Sequence, residues 1–499
     1  MNSLAAAAGV TLSVSDRVVH RMKSGVGASW HSLLRPTVSH GGSAFGGTPP
    51  VTAAHEGLWR SLERQAAWLG LKFIRAEMDW RQWQPQRGVF TWTSPEMQIL
   101  DRILRWAQQH GSDVMLQCMW LDVEWLAFPA YRDDPAKVQT SAPSDLEALA
   151  ESWVLLLREL VQRRGYTCIK WITLVNEPNH YWWLVPPDIP ETQDRLRQAR
   201  HLGAALARVR EALIVAQLPV KIMGPDYTDL PVLPRLAGEP WWPHVDDVDF
   251  HSYCSCFDWE DPAAQPAVGA YRLGTRLKET LQPYRAETAA AGKGLFLTEF
   301  GTQTYGYKAD DPAPGSFKAS LKDTELLIRA LNLGVDGLNH WSFTNRGDCD
   351  GQWQLVDTWD RQWKQWLPEC VPHRDAYHVL GLAMRHVPHR AGVLATFEEG
   401  GRVQDGPRVW TAAVCSPSDS SVTVLIVNDA DQPWTATVAG PVFDRPLWQL
   451  NSVAGAAPQE TLRYASLPCR AGKATCLLPA FSLTVLTDTP LEPEAAGRW

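Results

Sequence analysis

The sequence predicts an α/β chain, a (β/α)8 TIM barrel followed by an additional C-terminal all-β sandwich domain. Eight short strand-like runs lie between Lys23 and Phe343, and seven of them are introduced by helical patterns or connecting segments. Several of these runs are apolar without clean alternation, as expected of parallel strands covered on both faces. Beyond about Arg390 the texture changes to short β-branched runs separated by Gly, Pro, Asp or Ser turns. The chain has 499 residues, 45% hydrophobic and 20% charged, which is too much apolar material for a disordered chain. A barrel of roughly 250 residues or more folds as one unit, so two domains are expected rather than the three that length alone suggests.

The elements follow in order. Lys23–Trp30 (KSGVGASW) opens the barrel. Lys72–Trp80 (KFIRAEMDW) follows a helical stretch, His55–Leu69, whose apolar positions recur at three and four residues. Asp113–Trp120 (DVMLQCMW) follows a second helix, Glu96–His110. Ile169–Pro178 (IKWITLVNEP) follows a longer one, Asp145–Arg163, with Ser144 as its expected cap. Val220–Asp226 follows Gln193–Ala216, and a helical region around Leu273–Ala290 separates Asp247–Tyr253 (DVDFHSY) from Gly294–Gly301 (GLFLTEFG). Gly337–Phe343 (GLNHWSF) follows Lys318–Leu333. An open doubly wound sheet is disfavoured, because Gly25, Gly27 and the cluster Gly41–Gly47 make no phosphate-binding fingerprint. The sandwich strands are Val409–Val414, Val422–Asn428, Trp434–Val438, Leu462–Ala465, Ala474–Leu478 and Phe481–Thr487. Thr11–Val19 alternates in the same way. The expected division is therefore a barrel over residues 23–389 and a sandwich over 390–499, completed by residues 10–22.

Charge and composition narrow the function classes. The net charge of −8 and the lack of a long basic block argue against a nucleic-acid partner. No window approaches 18 uncharged apolar residues, so no membrane span is expected. Met1–Val10 lacks the basic start of a secretory signal, which predicts a cytoplasmic protein, with a removed leader left open. Nine cysteines indicate neither a metal-rich nor a disulfide-rich chain. Tryptophan is abundant, at 25 residues, and suggests a large aromatic-lined surface or cleft.

In a barrel the chemistry sits at the C-terminal ends of the strands. Those ends offer Arg75 and Asp79 on the second strand, Trp120 on the third, Asn176 and Glu177 on the fourth, His251 and Tyr253 on the sixth, Glu299 on the seventh, and His340 and Trp341 on the eighth. Glu177 and Glu299 are embedded in apolar runs, ITLVNEP and LFLTEFG, where a carboxylate is costly unless paired or used. One such glutamate can be a salt-bridge partner, but two at rim-facing strand ends point to a shared task. Two glutamates with an asparagine, an arginine and tryptophans describe sugar chemistry. Glycosidic cleavage needs one acid to protonate the leaving oxygen and one carboxylate at the anomeric carbon, and aromatic planes match the apolar faces of pyranose rings. An arginine beside one carboxylate is expected to hold it ionised as nucleophile. The other, drier and near a like charge, is raised toward acid duty.

The "NEP" at Asn176–Pro178 and the "TEFG" at Thr298–Gly301, with their glutamates 122 residues apart, resemble the signature of the clan A retaining glycoside hydrolases. The resemblance covers the whole barrel, including the segment Leu71–Trp92. The trailing sandwich resembles the accessory domain of the xylosidase-, glucosylceramidase- and glucuronidase-like branches. It implies Glu177 as acid/base, Glu299 as nucleophile, Asn176 at the sugar 2-hydroxyl and Arg75 in support of the nucleophile. His251 and Tyr253 match the strand-six positions, and Trp341 the tryptophan that floors the −1 subsite. Clan members often carry a histidine at the end of strand three, where this chain has Cys118, Met119 and Trp120.

Loop aromatics Trp125, Phe128, Tyr181, Trp182, Trp183, Trp353, Trp359, Trp363 and Trp366 favour a walled pocket, with Tyr181 included among the substrate-binding candidates. Cys254 and Cys256 are too close for a four-ligand metal site, and the later acidic ligand of a calcium loop falls out of register after Asp348, Asp350 and Gly351. His244 with Asp246 and Asp247 reads as a solvated loop. No cofactor and no metal is indicated. The expectation is a retaining β-glycoside hydrolase acting on a terminal or small sugar, with carboxyl groups about 5–5.5 Å apart. Transglycosylation, endo action on a β-glycan and a non-catalytic carbohydrate-binding barrel remain as alternatives. The sugar and the oligomeric state, a homo-oligomer included, stay open.

Overall fold

The computed structural model describes residues 9–34, 47–179, 182–187, 194–228, 235–254, 276–302, 316–344, 353–360, 365–399, 409–456 and 463–491. Strand β1 (Gly9–Arg21) precedes eight parallel strands that close into a barrel. These are β2 (Val26–His31), β3 (Phe73–Met78), β4 (Asp113–Cys118), β5 (Ile169–Thr173), β6 (Lys221–Tyr227), β7 (Asp247–Cys254), β8 (Leu295–Thr302) and β9 (Gly337–His340). Closure is tight between β2 and β3. A Cβ at Gly27 would fall 1.8 Å from the Phe73 carbonyl oxygen, so only glycine fits there.

The surrounding helices are α1 (Glu56–Leu69), α2 (Pro95–His110), α3 (Pro135–Thr140), α4 (Leu146–Leu157), α5 (Asp194–Val215), α6 (Arg276–Ala290), α7 (Phe317–Asn332) and α8 (Arg374–Arg385). Their ends follow local chemistry. In α2 the Ser94 hydroxyl accepts from the Met97 N–H, Pro95 occupies the first turn, and Gly111 ends the helix in the left-handed region. The cap of α4 differs from the sequence expectation. Asp145 Oδ1 accepts from the Ala148 N–H at 2.9 Å, while the Ser144 hydroxyl donates to the carbonyls of Leu126 and Ala127.

The barrel is filled in layers. Phe73, Met115, Trp171, Met223 and Phe296 form an apolar floor from five strands, with the Phe73, Trp171 and Phe296 ring centroids 5.2–5.8 Å apart. Above it the inward positions turn polar: Arg75, Gln117, Thr173, Asp249 and Thr298 are all buried. The tryptophan surplus serves packing more than a surface, contrary to the sequence reading. Trp30, Trp59, Trp68, Trp80, Trp83, Trp120, Trp153 and Trp241 are all among the largest fully buried side chains.

After a hairpin, β10 (Val356–Asp360) and β11 (Gln365–Pro372), the remaining strands are β12 (Gly392–Glu399), β13 (Val409–Cys415), β14 (Val422–Asn428), β15 (Trp434–Ala439), β16 (Leu447–Val453), β17 (Ala465–Leu467), β18 (Lys473–Leu478) and β19 (Ser482–Thr487). The second unit is one hydrogen-bonded sheet in the order β17-β16-β19-β14-β13-β12-β1-β15-β18, not two separate sheets. β1 joins its halves, antiparallel to β12 and parallel to β15, with register shifts between Val14 and His20 where it bends. The sheet rolls on itself, so Ala436 and Val438 of β15 and Ala474 and Leu478 of β18 share a core with Val424 and Ile426 of β14. The opposite face of β14, Leu425 and Val427, enters the barrel-side core. Burial on both faces explains the unbroken run VTVLIVN. Helix α7 lies between β8 and the sheet strands β13 and β14, and its buried Lys322 ion-pairs with buried Asp429 just beyond β14. Among the described residues no helix is long and apolar enough to cross a membrane.

Candidate active site

The site grows from the polar layer upward. Arg75 and Glu77 alternate on β3 and therefore share its inward face. Arg75 is fully buried and divides its guanidinium among four acceptors. Nη1 donates to Glu77 Oε1 (2.8 Å) and to Glu299 Oε1, and Nη2 donates to Asn176 Oδ1 (2.7 Å) and Asp226 Oδ2 (3.0 Å). Burial opposes its charge, but the carboxylates of Glu299, Asp226 and Glu77 hold it raised and cationic. The Trp341 ring lies beneath it, 5.5 Å from Cζ to the ring centroid.

His251 on β7 bridges the two glutamates. Its Nδ1 lies 2.9 Å from Glu177 Oε1 and 3.4 Å from Glu299 Oε2, and its Nε2 lies 3.0 Å from Asp226 Oδ1. Both ring nitrogens thus face carboxylate oxygens, which suits the doubly protonated ring. Burial works against that charge, but Glu299 and Asp226 lift the imidazolium well above the ordinary histidine range. Asp226 is held low for the matching reason, with Arg75 and His251 outweighing burial. Tyr253, two residues beyond His251, donates its hydroxyl to Glu299 Oε2 at 2.6 Å. Burial and then the Glu299 charge push the phenol upward, so it remains a donor.

Glu299 differs from the sequence expectation. Arg75 does reach it, yet burial pushes its carboxyl up to about 7, against the opposing pull of Arg75 and His251. One guanidinium shared with Glu77 and Asp226 does not compensate a fully desolvated carboxylate. Glu177 is the more open of the two, its side chain 17% exposed against 5% for Glu299. It sits at φ 43°, in the left-handed region that costs a non-glycine residue. One carboxylate oxygen of each glutamate and the ring nitrogen of His251 lie within 4.8 Å of one another. That spacing could span a cation, but His251 already directs both nitrogens at carboxylates as a donor, so the trio does not suit a metal.

The structure therefore brings together Arg75, Asn176, Glu177, His251, Tyr253, Glu299 and Trp341. Trp120 joins Trp341, Met119 and Leu33 in an aromatic wall against which Trp182, Tyr253 and Trp353 pack. Asp79 instead caps a short turn, its Oδ1 accepting from the Gln82 N–H at 3.0 Å. His340 donates from Nε2 to the Trp353 carbonyl, and burial lowers it to about 4, leaving it neutral. Tyr181 lies outside the described residues, as do Trp363, Cys256, Asp348, Asp350 and Gly351. Trp125 and Phe128 pack loops, Trp183 is buried, and Trp359 pairs with Trp366 on the β10–β11 hairpin. Asp246 bonds the Ile222 N–H and Asp247 pairs with Lys23 at the barrel floor.

Sequence reasoning missed Glu77, Asp226, His31 and Gln117. Glu77 had a readable signal, since it alternates with Arg75 across FIRAEM. Asp226 lies one residue before the end of the fifth barrel strand, and His31 ends the first, where its Nδ1 meets Glu77 Oε2. Gln117 donates to Asn176 and Asp226 from a strand whose inward neighbour Met115 is apolar.

This architecture has counterparts of the same fold among solved structures. A glycoside hydrolase family 30 subfamily 8 xylanase from Clostridium acetobutylicum superposes with a TM-score of 0.59 at 13% identity, covering 96% of this chain and 99% of that one. The catalytic domain of a family 30 xylanase from Talaromyces cellulolyticus gives 0.61 at 12%, covering 96% and 100%. An endo-β-1,6-glucanase gives 0.57 at 14%, covering 96% and 93%. The likeness is one of fold. No protein-family model and no curated protein matches the sequence.

Proposed function

We propose that the protein is a retaining β-glycoside hydrolase with Glu299 as nucleophile and Glu177 as acid/base. The observation that carries this is the approach of the two carboxylates from the ends of β8 and the segment after β5, with oxygens within 4.8 Å across His251. Retaining enzymes place their carboxyl groups about 5–5.5 Å apart, whereas inverting ones leave roughly 6.5–9.5 Å for a water. The likeness of fold to xylanases and a glucanase supports the same reading.

The assignment of roles follows from the surroundings. Glu299 is closed to bulk solvent and fixed at both oxygens, by Arg75 on one and Tyr253 on the other, which aims it at an anomeric carbon. Glu177 is open enough to meet a leaving oxygen and then a water. In the first step the ionised Glu299 forms a bond to the anomeric carbon while Glu177 gives its proton to the departing oxygen. In the second, Glu177 takes a proton from water as that water displaces Glu299 and restores the free carboxylate. Trp341, beside Arg75 and backed by the Trp120 wall, offers an aromatic plane for the sugar.

A terminal sugar is the first reading of the substrate, although Trp125, Phe128 and Trp183, which pack within the fold, lend it no support. Internal cleavage of a β-glycan is the second, favoured by the polymer-degrading activities of the solved structures with this fold. The test is incubation with a panel of 2-deoxy-2-fluoro aryl β-glycosides and with xylan and β-1,6-glucan. A covalent adduct mapped to Glu299, absent in Glu299→Gln, is expected, and product lengths separate terminal from internal cleavage. Turnover with inversion at the anomeric carbon would refute the mechanism.

A further inference from the structure

Glu77 is a fully buried carboxylate that no step above uses. It shares the inward face of β3 with Arg75 and pairs in register with His31 at the end of β2. Its backbone carbonyl accepts from the Ser32 N–H at 3.0 Å and from the Ser32 hydroxyl at 2.7 Å. Its carboxylate oxygens have separate partners. Oε1 accepts from Arg75 Nη1 at 2.8 Å, and Oε2 meets Nδ1 of the buried His31. Facing a carboxylate oxygen, that nitrogen carries the hydrogen. The same Arg75 Nη1 also donates to Glu299 Oε1, while Nη2 donates to Asn176 and Asp226. The four hydrogens on the two terminal nitrogens thus meet four acceptors. An arginine beside a carboxylate commonly grips both of its oxygens with two parallel bonds. Here Glu299 receives Arg75 at Oε1 alone, and Tyr253 occupies Oε2.

We propose that Glu77, fastened by His31, is a positioning residue that claims one hydrogen of Arg75 Nη1 and thereby limits Arg75 to a single hydrogen bond on Glu299. This rests on the reading of Glu299 as the nucleophile. The groups facing Glu299 are Arg75 from β3 with Glu77 behind it, Glu177 from the segment after β5, and His251 and Tyr253 from β7. Asp226 from β6 shares Arg75 and His251 with it. Burial lifts the Glu299 carboxyl most, Arg75 and His251 oppose the rise, and the charges of Glu177 and Glu77 add to it, consistent with a guanidinium so divided. Without the claim of Glu77, Arg75 would turn toward Glu299 and hold its ionised form more firmly. Lone pairs engaged in a two-bond fork are withheld from the anomeric carbon, so the single bond keeps the nucleophile aimed and free to attack.

The first test is the acid limb of kcat/KM on an aryl β-glycoside, where the nucleophile must ionise. Glu77→Gln keeps an acceptor oxygen for Arg75 but removes the charge that competes for it. Its limb should move to lower pH by about one unit, the scale on which a single charge 4–6 Å away shifts a carboxyl. A limb that stays in place or moves upward overturns the proposal. His31→Ala frees Glu77 Oε2 to turn on Arg75 and should move the limb upward, whereas His31→Asn, with a side-chain N–H where Nδ1 stands, should leave it at the wild-type position. Both variants lose the ring that stands edge-on to Trp341, 4.9 Å between centroids, so their difference reports the bond to Glu77 alone, and identical limbs remove His31 from the proposal. The second readout does not depend on turnover. Folded Glu299 keeps its proton up to about 7, so Glu299→Gln should raise the melting temperature above that pH. In a Glu77→Gln background that gain should shrink by about two-fifths, one unit out of roughly 2.5. A gain that is undiminished, or absent from the start, overturns the proposal whatever the enzyme does. A diminished gain in a protein that cleaves no glycoside sinks the enzyme assignment while leaving the division of Arg75 standing.

Discussion

Replacing Glu299 with glutamine removes a charge that the folded chain carries at a cost. The carboxyl titrates near 7 in the folded protein against an ordinary value of 4.5, so between those two values the folded state holds a proton that the unfolded chain has released. Stability therefore falls as pH rises through that window, and the loss is complete above about 7. At 1.36 kcal/mol per unit, a difference of about 2.5 units amounts to roughly 3 kcal/mol. The attraction of Arg75 and His251 is already contained in that figure, since both act on the same titration. Glutamine copies the neutral acid, so Glu299→Gln should gain about 3 kcal/mol at high pH and nothing at low pH. With an unfolding entropy of about 2.1 cal/mol/K per residue, 499 residues give roughly 1 kcal/mol per degree, hence a rise in Tm of about 3 °C. Thermal unfolding of both proteins at about pH 4 and about pH 8.5 reads this directly, alongside loss of glycoside turnover. A variant no more stable than wild type at high pH, or equally stabilised at both values, would refute the reasoning.

Two further predictions concern other parts of the molecule. Glu177→Ala should slow cleavage of aryl glycosides with poor leaving groups by about 10²- to 10⁴-fold while sparing the most activated ones, because only the former need the acid; equal losses across a leaving-group series would contradict its role. Lys322→Met should cost about 3–5 kcal/mol by removing the buried cation that pairs with Asp429 and Glu325 beside α7, and the double change Lys322→Met with Asp429→Leu should recover the Asp429 share of it; urea unfolding of the three proteins decides.

The fold was legible because its periodicities are strong. Eight apolar runs set off by helical patterns leave few architectures open, and the glutamates at the ends of ITLVNEP and LFLTEFG stood out against their neighbours. What stayed hidden depends on contacts across strands. Asp226 and His31 are single polar residues at strand ends, and nothing local shows that both come within reach of the β3 pair Arg75 and Glu77. The state of Glu299 was misread for the same reason. The sequence supplies an arginine, but only the folded barrel shows that arginine divided among three carboxylates. The tryptophans misled in the other direction, since residue type alone does not separate a ring in the core from one in a cleft. The single rolled sheet also escaped notice, because strand patterns fix faces but not the order in which strands pair.

That sheet has a consequence for the order in which the chain is made. β1 is synthesised before any of its neighbours, and its partner β12 begins at Gly392, with β15 later still at Trp434. At roughly 5–20 residues per second, a ribosome takes on the order of 20–80 s to deliver the first of them. Throughout that interval Leu12 and Val14, destined for the sheet's core, have no partner strand. An unpaired strand is a template for other chains, and the run Ser15-Asp16-Arg17 within β1, with both charges exposed to solvent, is the kind of interruption that discourages such pairing. The barrel can thus gather its strands as they emerge, while the second unit waits for β12 and β15 to pair with β1.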